Sequence, residues 1–470
     1  MPYVMQRFTM ADILPLLYGL EIKPGQNYLD ADQIDVHCPF CGHDGYHLNI
    51  NLRKGQFVCP HCKTQGGVMR LYAYYTRGTS CDFDSIKRDI RKELSERIYR
   101  PTFGRQAAPA KAGWKEIKPA DDETLDRTYR ALLRISGFAL SEKHREALRR
   151  RGLSDQAIER NGYRTIPYEY QIHPAVWRKY SDAKLKEALK QPQYKNMQKK
   201  EIIYGRAVAQ TLLEYGCRLE GVPGFFKVAD RWCFRMVAGL LIPVRNPEGL
   251  IVGAQIRKDV GATKYLTLSS KGLDGAVNVD ISRVHFPLAN QNDCGYGVIT
   301  EGPLKADIAA ELSGGGCYIS IPGVKATTPL EREYLWLKEH GITSIKNALD
   351  MDKLTNRNVR EGSVQLTALL KKNGFAVSQL CWDEAYAKQK LEELLSLCVS
   401  NDIRVPQQVT QAQYDGRIFS AVAIAAKCLE DAGINHSIEI LPDGTKKRHY
   451  WNDATKGIDD YLLSVQAQKR

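Results

Sequence analysis

The sequence predicts an α/β protein of more than one domain, with a mostly parallel sheet towards its C-terminus and a metal-binding module near its N-terminus. From about residue 286 to the end, short apolar strands alternate with helical segments, the pattern of a mostly parallel sheet covered by helices. Two C-x-x-C pairs lie within the first 62 residues. The 470 residues of the chain are also too many for a single hydrophobic core.

Composition and pattern divide the chain into four regions. Residues 1–99 contain the cysteine pairs and end in a charged helical stretch. Residues 100–120 are rich in Pro, Ala and Gly without an apolar period, which indicates a linker. Residues 121–285 begin helical and basic and then turn into strands, so we expect a basic α+β subdomain. Residues 286–470 form the α/β domain, with an insertion at about 385–450 to which the sequence assigns no role.

The charge balance favours a polyanionic partner. The chain has 67 Lys and Arg residues against 54 Asp and Glu residues, a net charge of +13. Each phosphate that a basic side chain neutralises releases condensed counterions, so this surplus suits nucleic acid. No apolar run approaches the roughly 20 residues of a bilayer span, and the first residues lack the features of a signal peptide. We therefore expect an intracellular protein without a membrane partner.

The two cysteine pairs predict a closed zinc site. Seventeen residues separate the pairs, enough for a hairpin that brings four thiolates around one ion. The predicted ligands are Cys38, Cys41, Cys59 and Cys62. Because four protein ligands leave no open position, the single zinc ion would be structural. Chance pairs and a redox motif are the alternatives. Four neighbouring histidines are alternative ligands: His37, His43, His47 and His61.

Two stretches combine basic and aromatic residues in a manner that suits single-stranded nucleic acid. Between the cysteine pairs, Arg53 and Lys54 accompany Tyr46 and Phe57, although Phe57 is better explained as part of the module's core. The longer stretch covers residues 143–200, and a solvated helical surface is its alternative interpretation. Its aromatic residues are Tyr163, Tyr168, Tyr170, Trp177 and Tyr180.

Three carboxylates follow two predicted strands. Glu301 comes directly after the apolar strand at 296–300, and Asp350 and Asp352 come directly after the strand at 343–349. The carboxyl ends of parallel strands meet at one edge of a sheet, so we expect the three side chains in one crevice. Close carboxylates repel unless a cation lies among them, and hard oxygen ligands suit Mg²⁺ or Mn²⁺. Acidic residues that only cap helices or lie in loops are the alternative.

Several segments resemble known families. E-G-P at 301–303, D-M-D at 350–352 and KGIDDYL at 456–462 resemble the Toprim domain that bacterial primases, topoisomerases and some nucleases share. The cysteine pairs, followed by GGVMRL at 66–71, are similar to the zinc-binding domain of bacterial-type DNA primases. The resemblance to these primases continues in the stretch 239–270, which is similar to the basic subdomain that precedes their Toprim domain.

The resemblance covers most of the chain in the family's order. Residues 140–164 are similar to the helical lead-in of primase-like proteins from plasmids, phages and integrative elements. The family implies a Rossmann-like Toprim domain and a DNA primase, which synthesises short RNA primers on single-stranded DNA from ribonucleoside triphosphates. It also implies a bacterial cytoplasmic protein, encoded by the host or by one of these mobile elements.

The resemblance implies roles for individual residues. Glu301 would be a metal ligand or a general acid and base, and Asp350 and Asp352 would hold magnesium. Asp459 and Asp460 would supply the last acidic contact of the site.

The resemblance also places basic residues around the template or the nucleotide. These are Arg245, Arg257 and Lys264, for which a solvated sheet face is the alternative. No phosphate-binding loop of the form G-x-x-x-x-G-K-[ST] occurs in the sequence, so we expect a separate replicative helicase to unwind the DNA.

The chain departs from the family at two positions. Replicative primases usually have an aspartate four residues after the Toprim glutamate, where this chain has Lys305, and a histidine as second zinc ligand, where it has Cys41. Asp307 cannot replace that aspartate, because two residues along a helix rotate a side chain by about 200°. A Toprim nuclease, a topoisomerase-like enzyme and a non-catalytic DNA-binding replication protein are the alternatives.

Overall fold

The computed structural model describes Lys23, 33–38, 40–41, 45–52, 54–77, Ile86, 117–194, 197–260, 264–291, 294–411, 417–440 and 446–469. Two compact units divide the chain, Met1–Trp114 and Lys115–Arg470. Among the described helices, none combines the length and the hydrophobicity of a bilayer-spanning segment.

The first unit contains a four-stranded antiparallel sheet whose strand order follows the chain. Its elements are β1 (Gln33–Val36), β2 (Leu48–Asn51), β3 (Gln56–Val58), β4 (Gln65–Gly67) and helix α1 (Val68–Arg77). Alternate strand residues face inwards, so Ile34, Val36, Leu48, Ile50 and Phe57 form a small core. The prediction that Phe57 packs inside this module is confirmed.

The predicted linker is described only at its end. Residues 100–116 lie outside the described residues, as do Arg53 and most of the helical stretch predicted at 82–98. The backbone of Ile117 donates to the side chain of Asn278 at 3.0 Å and accepts from its backbone N–H at 3.2 Å. The final residues of the predicted linker therefore belong to the second unit and pack within it.

The second unit begins with helices that start at capping residues. The side chains of Asp121, Ser141 and Ser154 each accept a hydrogen bond from a backbone N–H of the first turn. The helices are α2 (Asp122–Leu133), α3 (Glu142–Arg150), α4 (Asp155–Asn161), α5 (Pro174–Tyr180), α6 (Ala183–Ala188) and α7 (Lys199–Glu214). They form the helical part of the region predicted as basic.

An antiparallel sheet and a hairpin accompany these helices. The strands are β5 (Arg164–Ile166), β6 (Phe225–Val228), β7 (Arg231–Phe234), β8 (Gly239–Arg245), β9 (Ile251–Arg257) and β10 (Tyr265–Thr267). The sheet has the order β10-β9-β8-β5, and β6 and β7 form the hairpin. Every residue of β8 is buried. Leu241 shares a core with α2 and α7, whereas Leu240 and Ile242 share one with α3 and α4.

The remaining part of the unit contains the predicted parallel sheet, and the α/β fold class is confirmed. The elements are β11 (Tyr296–Glu301), α8 (Pro303–Ser313), β12 (Cys317–Ile321), α9 (Tyr334–Glu339), β13 (Ser344–Asn347), α10 (Arg357–Lys372) and β14 (Ala376–Gln379). The order is β12-β11-β13-β14, and all neighbouring strands are parallel. Because β12 and β13 flank β11 on opposite sides, the ligand-binding crevice of such a sheet lies at the carboxyl end of β11.

The segment predicted as an insertion contributes to the core of this domain. Its elements are α11 (Glu384–Ser400), α12 (Gln407–Gln411), α13 (Ile418–Asp431), β15 (Ile438–Ile440) and β16 (Lys446–Arg448), and α14 (Ile458–Lys469) follows. Leu391 and Leu394 of α11 and Val422 and Ala426 of α13 are buried in one cluster with Met351. The insertion therefore packs directly behind the turn that follows β13.

A buried hydrogen-bond network joins the two sheets of the second unit through α8. Asp307 on this helix is 1% exposed, and its carboxylate accepts from the hydroxyl of Tyr163 at 2.7 Å. The backbone N–H of Arg245 donates to Nδ1 of His285 at 3.0 Å, so Nε2 carries the proton and donates to Asp307 at 2.9 Å. His285 also exchanges two backbone hydrogen bonds with Ser320 of β12. The network therefore fixes the position of α8 between the sheets.

The substitution Tyr163→Phe should lower the free energy of unfolding of the second unit by about 1–3 kcal/mol, because it leaves a buried carboxylate oxygen without its donor. Urea denaturation followed by circular dichroism measures the change. Tyr168→Phe is the matched control, since Tyr168 is 71% exposed and should not alter stability. Equal stability of Tyr163→Phe and wild type would contradict the structural role of the network.

Candidate active site

Three predicted site residues lie at the carboxyl edge of the parallel sheet. Glu301 is the last residue of β11. Asp350 immediately precedes the 3₁₀ turn Met351–Leu354 that follows β13, and Asp352 lies within that turn. Since β11 and β13 are neighbours in the sheet, the three carboxylates belong to one edge. We refer to Glu301, Asp350 and Asp352 as the acidic edge.

The E-G-P motif turns the chain sharply from β11 into α8. Gly302 has a φ of +85°, a left-handed conformation that favours glycine. Its N–H donates to the carbonyl of Ile321 in β12 at 3.0 Å. Pro303 is the first residue of the helix, where its fixed φ is favourable and no N–H is needed. As a result, Lys305 lies in the first turn of α8, four residues after Glu301.

Two lysines contact the acidic edge. Nζ of Lys305 lies 2.5 and 2.6 Å from the two carboxylate oxygens of Asp350. Nζ of Lys456 lies 2.8 Å from Oδ2 of Asp352. Glu301 experiences these charges without a hydrogen bond to a described residue. The sequence identified Lys305 as unusual, whereas Lys456, the first residue of the KGIDDYL motif, was given no role in the prediction and reaches the edge through the folding of the C-terminal segment.

Burial and charge shift the proton affinities of these groups. Burial raises the pKa of Glu301 and of Asp352, and the nearby lysines offset this only in part. Burial alone would lower the pKa of Lys305, but the charge of Asp350 outweighs it and leaves the pKa above its usual range. Burial and the charge of Asp352 act on the pKa of Lys456 in the same way, again with a net increase. Both lysines are therefore cationic at neutral pH.

The acidic edge offers oxygen ligands for one divalent cation. Oδ1 of Asp352 is buried and has no hydrogen-bond partner among the described residues, and Glu301 lacks one as well. Both oxygens of Asp350, by contrast, contact Lys305. In the described part of the chain, only the four cysteines form a group of three or more potential ligands within 4.8 Å of one another. The oxygens of this edge that could accept a divalent cation are therefore those of Asp352 and Glu301.

The two aspartates of the KGIDDYL motif lie in the first turn of α14. Asp459 is 1% exposed and forms an ion pair with Arg151. Burial, together with the charge of Asp459, raises the pKa of Asp460 to about 6. Asp459 also acts electrostatically on Lys305. This turn therefore adds acidic groups beside the acidic edge.

The basic residues predicted around the nucleotide divide into two groups. Arg245 is 3% exposed, and its guanidinium donates to the carbonyl of Asn161 at 2.7 Å. The prediction for Arg245 is therefore corrected, because a buried side chain that joins two elements cannot contact a template. Arg257 is half-buried opposite Tyr265, and Lys264 is exposed immediately before β10. Both lie at the same end of the β9–β10 hairpin.

The four predicted zinc ligands come together in the first unit. Their Sγ atoms lie within 4.8 Å of one another, and no described histidine joins the group. Sγ of Cys38 lies 3.7 Å from Sγ of Cys62, close to the edge of about 3.8 Å expected for a tetrahedron with Zn–S bonds of ~2.3 Å. Burial raises the pKa of Cys38 to about 12, whereas hydrogen bonding with Thr64 lowers that of Cys62 to about 6. A buried thiol such as Cys38 needs a cation to ionise, so this donor set fits zinc.

The basic and aromatic tract exposes fewer rings than the sequence predicts. Tyr163 is completely buried and Tyr180 is 6% exposed, so both rings pack in the interior and that prediction is corrected for them. Tyr168 and Trp177 are exposed. Nζ of Lys199 lies 5.5 Å from the ring centroid of Trp177. An exposed aromatic face beside a cation suits stacking on a base next to a phosphate.

Comparison with known proteins returns structural likeness only. No family model matches the chain, and no curated protein sequence does. The Aquifex aeolicus primase, comprising its zinc-binding and RNA polymerase domains, is similar over 92% of this chain and 96% of that chain, with 14% identity and a TM-score of 0.36.

Two further primases are similar over part of the chain. The RNA polymerase domain of Mycobacterium tuberculosis primase DnaG matches over 56% of this chain and 76% of that chain, with 12% identity and a TM-score of 0.36. The primase fragment of the bacteriophage T7 primase-helicase protein matches over 73% and 88%, with 12% identity and a TM-score of 0.25. Structural similarity at TM-scores this low assigns neither an activity nor a residue role to this chain.

Purified protein should contain about one zinc ion per chain, and Cys59→Ser should reduce this content severalfold, because three thiolates no longer close the tetrahedral site. Elemental analysis after dialysis without chelator measures it. Cys428→Ser removes a half-buried thiol of α13 and should leave the zinc content unchanged. Wild-type protein that retains no zinc would rule out this site.

The substitution Trp177→Ala should weaken binding to a single-stranded oligonucleotide by roughly 5- to 100-fold, the effect of losing one stacked base. Fluorescence anisotropy at fixed ionic strength measures the affinity. Tyr215→Ala removes another exposed ring of the same unit, 61% exposed, and is expected to have no effect. If both variants bind like wild type, the strand follows a different surface.

Proposed function

We propose that this protein is a DNA primase, which synthesises short RNA primers on single-stranded DNA from ribonucleoside triphosphates. The observation that carries the proposal is the acidic edge at the switch point of the parallel sheet, with Glu301 on β11 and Asp350 and Asp352 after β13. The family resemblance of the E-G-P and D-M-D motifs selects nucleotidyl transfer among the reactions that such a crevice supports.

The proposed reaction is attack of a ribonucleotide 3′-hydroxyl on the α-phosphate of the next triphosphate, with pyrophosphate as the leaving group. A divalent cation bound through Asp352 and Glu301 would stabilise the negative charge that develops on the phosphoryl oxygens. Lys305 and Lys456 hold the carboxylates of Asp350 and Asp352 in fixed orientations. Their positive charges would also favour the approach of an anionic triphosphate.

Other surfaces of the chain suit the remaining parts of the substrate. Arg257 and Lys264 lie at one end of the β9–β10 hairpin, where they would contact phosphates of the nucleotide or template. Trp177 and Lys199 would stack on a base and neutralise a phosphate of the single strand. A separate helicase would supply the unwound template. Phage, plasmid or integrative-element origin is part of the proposal through the resemblance of residues 140–164.

One observation favours a second function, that of a non-catalytic DNA-binding replication protein. The ammonium of Lys305 contacts both oxygens of Asp350, and this pairing removes one carboxylate from metal binding. The buried and unpaired oxygen of Asp352 favours catalysis, because a buried carboxylate oxygen without a partner is costly unless it binds something. Primer synthesis by purified protein distinguishes the two functions.

Asp352→Asn should reduce incorporation of labelled ribonucleotide on unprimed single-stranded DNA by about 100-fold or more, because it removes an anionic ligand of the catalytic cation. Binding of single-stranded DNA should stay within about twofold of wild type.

Glu384→Gln is the matched control: Glu384 is an exposed residue that pairs with Lys388 in α11, and its loss should leave synthesis unchanged. If wild-type protein incorporates no ribonucleotide with either magnesium or manganese, the non-catalytic alternative is the better description.

A further inference from the structure

The contact between Lys305 and Asp350 has the geometry of a bound cation. The ammonium lies nearly equidistant from the two oxygens, at 2.5 and 2.6 Å, as a metal ion bound by both oxygens would. The side chain of Lys305 is 22% exposed and that of Asp350 is 9% exposed, so water screens this pair only weakly.

Asp352 is engaged in a different way. Lys456 contacts only Oδ2, at 2.8 Å, and Lys456 is 35% exposed. The other oxygen, Oδ1, is buried without a hydrogen-bond partner among the described residues. One side of Asp352 is therefore available to a cation, whereas neither oxygen of Asp350 is.

The net charge of the acidic edge also favours a single divalent ion. The carboxylates of Glu301, Asp350 and Asp352 contribute three negative charges, and the ammonium groups of Lys305 and Lys456 contribute two positive ones. The difference, three minus two, leaves one net negative charge, and Asp459 and Asp460 together with Arg151 of the neighbouring turn add one more. One divalent cation would balance this charge, and a second would add two positive charges in a poorly screened place.

We propose that Lys305 is a built-in cation of this site, in the position that a divalent ion would otherwise take on Asp350. The acidic edge consequently binds no more than one divalent ion, through Asp352 and Glu301. The inference rests on the same edge as the proposed primase activity, but it concerns the number of bound ions and not the reaction.

Manganese binding tests the inference without DNA or nucleotide. Full-length protein with its zinc retained is titrated with Mn²⁺, and free Mn²⁺ is measured by electron paramagnetic resonance. The double variant Asp350→Asn/Asp352→Asn is titrated in the same way. The number of ions that it binds is subtracted from the wild-type number, because those ions bind outside the acidic edge. We expect at most one ion per wild-type chain at the edge, and one more in Lys305→Asp, because that variant both frees Asp350 and adds a carboxylate.

Two further variants separate a local effect from a general change of charge. Lys305→Met frees Asp350 without adding a carboxylate, and it should bind Mn²⁺ more tightly than wild type. Lys388→Ala removes an exposed lysine of α11 that pairs with Glu384; it changes the net charge by the same amount as Lys305→Met and should bind like wild type.

Thermal unfolding provides a second measurement that is independent of ion counting. Without Mn²⁺, Lys305→Asp should have a lower Tm than wild type, because four clustered carboxylates, the new one included, then lack the ammonium cation. Saturating Mn²⁺ should raise the Tm of this variant by more than that of wild type, since a ligand stabilises the state that binds it.

Two ions at the edge of the wild-type protein would overturn the inference. So would a Lys305→Asp variant whose ion number and Mn²⁺-dependent Tm increase equal those of wild type. Because none of these measurements involves primer synthesis, an inactive wild-type enzyme would remove the proposed function and leave this inference standing.

Discussion

The carboxylate of Asp307 is fully buried, and much of the second unit is arranged to keep it hydrogen-bonded. Tyr163 donates to it from the helical subdomain and His285 from the segment that joins the two sheets. An unpaired charge at this depth would cost several kcal/mol, so these contacts fix the rotation of α8 about its axis. Two residues earlier on the same helix, Lys305 is then rotated by about 200°, which directs it away from the interior and to Asp350. The chemistry of the edge thus depends on a hydrogen bond in the core.

The alternation of charges at the acidic edge is better explained by function than by stability. Burying an ion pair costs desolvation that the Coulomb attraction barely repays, and apolar side chains of similar volume would often serve the fold as well. Here Lys305 with Asp350 and Lys456 with Asp352 are concentrated where β11 and β13 end. This is the place at which parallel sheets bind their ligands. Ionic groups that add little to the fold at such a place support the ligand-binding role proposed for this edge.

The parts that sequence could predict are those with a local pattern. The spacing of Cys38 to Cys62 predicted the cysteine cluster. The strand endings at Glu301 and Asp350 predicted their common edge, because each strand has a local apolar pattern and parallel strands end on one side of the sheet. The burial of Arg245 could not be predicted from the sequence. It arises because helices α4 and α8 pack on strand β8, whereas the sequence pattern also fits a strand with one face in solvent. Lys456 opens the KGIDDYL motif, but the resemblance implies a role only for the acidic residues of that motif, and the contact of Lys456 with Asp352 depends on the tertiary fold.

The segment between β14 and α14 shows how such a distant residue is positioned. Its helices α11 and α13 pack against Met351, the residue between the two aspartates of the acidic edge. The backbone N–H of Met351 donates to the carbonyl of Lys456 at 2.9 Å, and Trp382 donates from Nε1 to the carbonyl of Thr455 at 2.6 Å. These bonds hold the loop before α14 against the turn after β13. Because backbone contacts fix the main chain at Lys456, its ammonium lies within reach of Asp352. A segment without a recognisable motif is therefore part of the scaffold of the acidic edge, and changes in its packing should affect the edge through the orientation of Asp352.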